Sequence, residues 1–102
     1  MFQIKIDKNA LGIFSEDKQS FYQKKIFNKV EDNLDHQFYR IKPIRNAKRL
    51  PVYELKITLE KTSYRLAFTI EKSEVWIYYI SKTIQKQLFD KEALKWLSKR
   101  ST

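Results

Sequence analysis

The stretch that decides the fold is Val52–Ile70, which reads VYELKITLEKTSYRLAFTI. Apolar and polar residues alternate in it twice, on either side of a short charged break, and a period of two is typical of half-buried β-strands. We therefore expect an antiparallel hairpin with one apolar face. That face consists of Tyr53, Leu55, Ile57, Leu59, Tyr64, Leu66, Phe68 and Ile70.

The opposite face of this hairpin carries two basic residues, Lys56 and Arg65. Held outward on a rigid sheet, they would lie close enough to bind a single anionic ligand. The alternative is that both are solvated charges on an exposed sheet face, which is the commoner situation for such residues. The remaining residues of that face are Glu54, Thr58, Ala67 and Thr69.

The composition predicts one folded domain, residues 1–102, with an anionic partner. A chain of 102 residues can bury a single modest core, and the absence of cysteine excludes disulfides and thiolate metal sites. The net charge of +9 favours a polyanion or an acidic protein over a neutral metabolite. Between residues 40 and 65 only Glu54 and Glu60 are acidic, whereas the basic residues are Arg40, Lys42, Arg45, Lys48, Arg49, Lys56, Lys61 and Arg65.

The sequence argues against proteins that bind a nucleotide or a metal and against membrane-spanning proteins. With Gly12 as the only glycine, a glycine-rich loop for a nucleotide phosphate cannot form. His36 is the only histidine, and no carboxylates can be placed beside it, so we expect no metal and no small-molecule cofactor. The N-terminal residues MFQIKID are not a signal peptide, and no segment is long and apolar enough to span a bilayer, which predicts a cytoplasmic location.

Periodicity predicts the other elements. Alternation over Phe2–Ile6 indicates a short strand, and a brief helical turn follows from Asn9. An apolar stripe with a period of four predicts a helix from Asp17 to about Asp35, with Ser15 as its N-cap. The residues of the stripe are Tyr22, Ile26, Phe27, Val30 and Leu34.

The second half of the chain contains a basic connection, a third strand and a terminal helix. The region 38–51 reads as a basic loop that can contain a short strand, because Pro43 and Pro51 interrupt it. Val75–Ile80 is apolar throughout, which predicts an inner strand, and a final helix is expected from Asp90.

This order of elements resembles the RelE/ParE superfamily of bacterial toxins from type II toxin–antitoxin modules. The resemblance rests on VYELKI (52–57), on SYRLAF (63–68), and on VWIYYI (75–80) running into SKTIQK (81–86). These segments are similar to the tyrosine–x–leucine/isoleucine–basic, tyrosine–arginine–hydrophobic and strand-then-lysine-rich patterns of RelE- and HigB-like members. The fold that the resemblance implies is α+β, with a small antiparallel sheet of about four strands, two N-terminal helices and a short C-terminal helix.

The activity that the resemblance implies is ribosome-dependent cleavage of messenger RNA without a metal, which inhibits translation. The implied partners are messenger RNA on the ribosome, with ribosomal RNA contacts, and an acidic cognate antitoxin. Carried over residue by residue, the catalytic cations are Lys56 and Arg65. Lys82 and Lys86 are expected as supporting catalytic cations, because they lie close to the position of the pattern's late arginine and can replace its charge, as lysines do in HigB-like members. We expect the basic loop to contact RNA through Arg40, Lys42, Arg45, Lys48 and Arg49.

Three positions depart from the RelE pattern, and they keep other functions open. Glu54 stands in place of a lysine, Thr83 in place of an arginine, and Phe89 in place of a tyrosine. His36, Tyr78 and Tyr79 are the candidates to replace the tyrosine. The alternatives are a ParE-like protein that inhibits DNA gyrase without hydrolysis, and a basic RNA-binding domain that has lost catalysis.

Overall fold

A five-stranded sheet with one α-helix on each face forms the described part of the chain. The computed structural model describes residues 2–44, 51–83 and 85–100, with side chains to residue 97. The elements are β1 (Gln3–Ile6), α1 (Gln19–His36), β2 (Lys42–Pro43), β3 (Val52–Leu59), β4 (Thr62–Glu71), β5 (Glu74–Ser81) and α2 (Lys86–Arg100). The strand order is β1-β5-β4-β3-β2, antiparallel except that β1 pairs with β5 in parallel. The predicted α+β class is confirmed.

The predicted hairpin is confirmed as β3 and β4. Leu55 pairs with Leu66 across the two strands, and Leu59 pairs with Thr62, so that two residues form the turn. Those two residues, Glu60 and Lys61, both have positive φ angles, of 48° and 69°. Positive φ at both positions gives the turn the twist that neighbouring strands require, although such angles are costly for residues other than glycine.

The first core lies between α1 and the apolar face of the hairpin. Ile26, Val30 and Leu34 of the predicted stripe are buried, and they pack with Leu66 and Phe68 and other strand residues. The helix is preceded by a 3₁₀ turn, Glu16–Lys18, and Ser15 makes no side-chain capping bond. The amphipathic helix is therefore confirmed, but its first turn is 3₁₀ and its α-helical part begins at Gln19.

The second core lies between α2 and the other face of the sheet. Phe89 and Ala93 of α2 pack with Val52, Ala67 and Tyr78. The helix begins at Lys86, four residues before the predicted start at Asp90, and thereby includes Phe89, which is buried on the sheet. The expectation that this sheet face is open to solvent is wrong at three of its positions, since α2 covers part of it. The buried positions are Glu54, Ala67 and Thr69.

A β-bulge in β5 adapts the sheet to α2. Ala67 pairs with Tyr79 and Phe68 pairs with Ile77, so that Tyr78 is left out of the pairing. The extra residue breaks the alternation, and both Tyr78 and Tyr79 pack in the second core. The prediction that this is an inner strand is confirmed, because β5 pairs on both sides.

Two details of the predicted fold differ. The described sheet has five strands rather than about four, because the two-residue strand β2 pairs with β3 at the sheet edge, where a proline such as Pro43 is tolerated. Before α1 the described chain has two 3₁₀ turns, Ala10–Ile13 and Glu16–Lys18, in place of a second N-terminal helix. No helix in the described ranges has the length and apolar character needed to cross a membrane.

Candidate functional site

A basic cleft opens where the edge of the sheet meets the first turn of α2. Its volume is about 380 Å³. The residues that define this basic cleft are Tyr39, Arg40, Lys42, Glu54, Lys56, Arg65 and Lys86. Five of the seven are cations and one is a carboxylate, so the cleft suits an anionic ligand.

The strand register brings the basic residues of the sheet together. Lys56 of β3 lies directly opposite Arg65 of β4, and Lys42 of β2 lies directly opposite Glu54. Two like charges at directly opposite positions destabilise a sheet. A locally unfavourable arrangement of this kind is typical of a functional site.

Glu54 is a buried carboxylate that two cations of the basic cleft approach. Its side chain is 3% exposed, and the Arg65 Nη1 donates a hydrogen bond of 2.6 Å to its Oε2 atom. The Lys86 Nζ lies 4.0 Å from the Glu54 Oε1, and it also donates to the Asp90 Oδ2 at 2.7 Å. A buried carboxylate needs such partners, since an uncompensated charge in the interior is costly.

Arg65 is therefore not the outward, solvated cation that the strand alternation predicts. Its side chain is only 16% exposed and is held by Glu54. The reason is that α2 partly covers this sheet face. The Glu54 carboxylate is shielded from water there, and it needs the Arg65 guanidinium as a partner. Arg65 is at once a wall of the cleft and the counterion of a buried group.

Lys42 and Lys56 are two of the exposed cations of the cleft. Within residues 2–44, 51–83 and 85–97, neither of them forms an ion pair with a described carboxylate. Arg40 is also exposed, and its Nη1 donates to the Gln37 Oε1 at 3.3 Å. Lys42 and Lys56 can thus bind a ligand without breaking an ion pair to any described carboxylate.

Tyr39 is the site residue that the sequence reasoning missed. It belongs to the 3₁₀ turn Phe38–Arg40 between α1 and β2, and its side chain is 79% exposed. The available signal was the triplet FYR, in which aromatic residues stand beside a basic residue just after the end of a helix. The predicted helix and strands did not place that triplet relative to Lys56 and Arg65.

The three candidates to replace the tyrosine of the RelE pattern do not line the basic cleft. His36 is exposed in the last turn of α1. Tyr78 is buried, and its hydroxyl donates to the Ala93 carbonyl at 3.3 Å. Burial, and secondarily the charge of Asp90, raise the pKa of Tyr78 far above its usual value.

Thr83 and Tyr79 belong to a polar network that joins β5 to α2. Both hydroxyls donate to the Glu92 carboxylate, Tyr79 at 2.8 Å and Thr83 at 3.0 Å. The Ser81 hydroxyl lies 2.8 Å from that of Thr83. Burial, followed by the hydrogen bond to Glu92, raises the pKa of Tyr79. Thr83 thus makes a structural contact at the position where the RelE pattern has an arginine, and Phe89, where that pattern has a tyrosine, is buried in the second core.

The predicted cations are only partly brought together. Arg40, Lys42, Lys56, Arg65 and Lys86 share the basic cleft. Lys82 does not line it, and its Nζ lies 5.9 Å from the ring centre of Tyr64, a residue of the first core. The other predicted RNA-binding residues lie outside the described residues: Arg45, Lys48 and Arg49. In the described part of the chain, no three His, Asp or Glu residues are grouped so that they could hold a metal ion.

Comparisons with known proteins give one similar structure. No protein-family model matches the sequence, and a search of curated proteins finds no relative. Among solved structures, the crystal structure of the isolated E. coli RelE toxin is similar to this chain, with 20% sequence identity and a TM-score of 0.47. The similarity covers 93% of this chain and 97% of that chain.

Proposed function

We propose that this chain is the toxin of a type II toxin–antitoxin module, that it inhibits translation by cutting messenger RNA on the ribosome, and that the basic cleft binds the RNA backbone. The observation that carries the proposal is the pairing of Lys56 with Arg65, which brings two cations together in the lining of one cleft, with the charge of Arg65 compensated by Glu54. The resemblance of the sequence to RelE- and HigB-like toxins supports the choice of RNA as the anion.

The chemistry of such cleavage requires concentrated positive charge. The 2′-hydroxyl of the RNA gives up its proton to a base as its oxygen forms a bond to the adjacent phosphorus, and the bond from that phosphorus to the 5′-oxygen of the next nucleotide breaks as that oxygen takes up a proton. The transition state carries more negative charge on the phosphoryl oxygens than the ground state does. Lys56, Arg65 and Lys86 surround one cleft, and fixed cations there stabilise the developing charge without reorganising.

The protein partner that we expect to cover this surface is an acidic antitoxin. Within the basic cleft Glu54 is the only described acid, and it is already engaged by Arg65. An acidic segment laid over the cleft would neutralise Lys42 and Lys56 and would exclude RNA from the same place.

The test of the function is tightly repressed, inducible expression in a bacterium, followed by primer extension on an abundant message. The informative variant is Lys42→Ala/Lys56→Ala, because both side chains are exposed and the fold does not depend on them. The matched control is Lys24→Ala/Lys29→Ala, which removes the same charge from exposed positions of α1, on the opposite side of the sheet. Arg65→Ala is a poor choice, since it leaves the buried Glu54 without its guanidinium.

The outcomes separate the candidate functions. Growth arrest with new message 5′ ends in the wild type and in the control, but not in the cleft variant, is the expected result. Arrest without cleavage of messages would refute the nuclease and favour inhibition of gyrase or of another target. Absence of arrest would refute the toxin and favour the alternative of a basic RNA-binding domain that has lost catalysis.

A further inference from the structure

We propose that Tyr39 is a stacking platform for an unpaired nucleotide base, whose phosphate lies among the cations of the basic cleft. This inference rests on the proposed function and deepens it, because it assigns the cleft to single-stranded rather than double-stranded nucleic acid. It concerns the aromatic ring of Tyr39, at a place in the fold where the sequence resemblance assigns no aromatic residue.

The exposure of Tyr39 is the first observation. At 79%, it is the most exposed of the described large hydrophobic side chains. Most of the other described aromatic rings pack against a second ring, as Phe14 does on Tyr22 at 4.2 Å. The exposed Phe21 also lies under the Lys25 ammonium at 4.8 Å. Among the described residues, the ring of Tyr39 has neither an aromatic nor a cationic neighbour of this kind. At 79% exposure, most of the Tyr39 side chain is accessible to a ligand.

The location of Tyr39 is the second observation. An isolated exposed aromatic residue is normal on a protein surface and needs no explanation. Tyr39, however, lines the same cleft as Lys42, Lys56 and Arg65. A positively charged groove with an aromatic platform at its side is how proteins bind single strands, since the cations contact the backbone and the ring contacts a base.

The turn that carries Tyr39 is held at both ends. The Arg40 amide donates to the Gln37 carbonyl and the Ile41 amide to the Phe38 carbonyl, each at 2.9 Å. Ile41 is buried in the first core, which ties the turn to the fold. A tyrosine on such a support loses little conformational freedom when it binds, because only its two side-chain torsions become fixed.

Stacking on Tyr39 selects for unpaired bases. In a duplex both faces of each base are already covered by its neighbours, whereas a single strand can offer a free face. Loss of one base–aromatic stack on alanine substitution weakens binding by roughly 5- to 150-fold. The hydroxyl of Tyr39 is not required for stacking, so a phenylalanine should serve as well.

The test is fluorescence anisotropy with three labelled probes of equal length: single-stranded RNA, the same RNA as a duplex, and an abasic oligonucleotide. Tyr39→Ala should weaken binding of the single strand by a factor in the stated range and leave the abasic probe unaffected. Tyr39→Phe should bind like the wild type. Phe21→Ala is the control, because it removes another exposed ring that does not line the cleft.

The results distinguish this inference from the proposed function. Equal binding of the single strand by Tyr39→Ala and wild type would overturn the stacking, and so would an equal loss for the abasic probe. If Tyr39→Phe weakened binding as much as Tyr39→Ala does, the effect would be due to the hydroxyl. That result would also overturn the stacking. A wild type that binds none of the probes would refute RNA binding by the cleft, and the stacking with it.

Discussion

Replacement of Glu54 by glutamine should lower the stability of the protein and raise its affinity for RNA. The two effects have one cause. Glu54 is the buried acceptor of the Arg65 guanidinium at 2.6 Å, and Lys86 lies 4.0 Å from its other oxygen. Glutamine keeps the volume and one acceptor oxygen but removes the negative charge, so that Arg65 and Lys86 no longer face the Glu54 carboxylate, although Lys86 keeps its ion pair with Asp90.

The size of the stability effect follows from burial. Breaking a fully buried ion pair by removing one partner costs about 3–5 kcal/mol. Arg65 retains 16% exposure at the cleft and can still donate to glutamine, so we expect a smaller loss of roughly 1–3 kcal/mol. Since each kcal/mol shifts the Tm of a domain of this size by about 4–8 °C, thermal unfolding will resolve the loss.

The effect on RNA binding follows from the charge. If a bound phosphate lies about 8 Å from the carboxylate, removal of the charge favours binding roughly 2-fold in a water-like dielectric and roughly 30-fold at an effective dielectric of about 20. The assay is anisotropy with single-stranded RNA at low salt, where screening is weakest.

The matched control for Glu54 is Glu60→Gln. Glu60 also forms an ion pair of 2.6 Å, with Lys25, but half of its side chain is exposed. An exposed pair contributes about 0–1 kcal/mol, so this variant should lose little stability and should bind RNA like the wild type. Unchanged stability in Glu54→Gln would refute the buried ion pair, and unchanged or weaker RNA binding would refute competition between Glu54 and phosphate for the cations.

Three further predictions concern the fold. Leu66→Ala should lower the free energy of unfolding by about 2–5 kcal/mol, measured by urea denaturation, because Leu66 is fully buried in the first core; a loss below 1 kcal/mol would contradict that packing. Lys61→Gly should raise the Tm by a few degrees, because relief of a positive φ of 69° is worth about 1 kcal/mol, and an unchanged Tm would argue against that turn geometry. Stability should fall as the pH rises above about 10, because a tyrosine in the unfolded chain ionises there whereas burial raises the pKa of Tyr78 in the folded state. Below that pH both states are protonated and the difference vanishes. Tyr78→Phe should make the fall shallower, and an unchanged pH dependence would show that Tyr78 does not cause it.

Local periodicity was sufficient to predict the hairpin and the first core. The alternation in β3 and β4 and the stripe on α1 are short-range patterns, and the residues that they assign to the interior, such as Ile26 and Leu66, are buried. The second core was not predictable in the same way. It depends on a bulge at Tyr78 and on a helix whose buried residues, Phe89 and Ala93, give a weak pattern in a strongly charged sequence.

Periodicity reports only short-range patterns, and this also explains which features of the candidate site were not predicted. Alternation placed Glu54, Lys56 and Arg65 on one face, and the structure has them there, but the burial of Glu54 depends on α2. Lys82 follows Ser81, which pairs with Arg65, so strand alternation directs Lys82 to the opposite face. That separation becomes visible only once β5 is known to extend to Ser81. Tyr39 lies in a turn with no periodicity, and only the three-dimensional structure brings it to the cleft.

The most direct test of the central claim, that the basic cleft binds the RNA backbone, is the salt dependence of binding. For a single strand, the slope of the logarithm of the binding constant against the logarithm of the salt concentration falls by about 0.7 for each cation–phosphate contact that is lost. Lys42→Ala/Lys56→Ala should therefore flatten the slope by about 1.4 relative to the wild type. Lys24→Ala/Lys29→Ala should leave the slope unchanged. An unchanged slope in the cleft variant, or equal flattening in both variants, would contradict the assignment of RNA binding to this cleft.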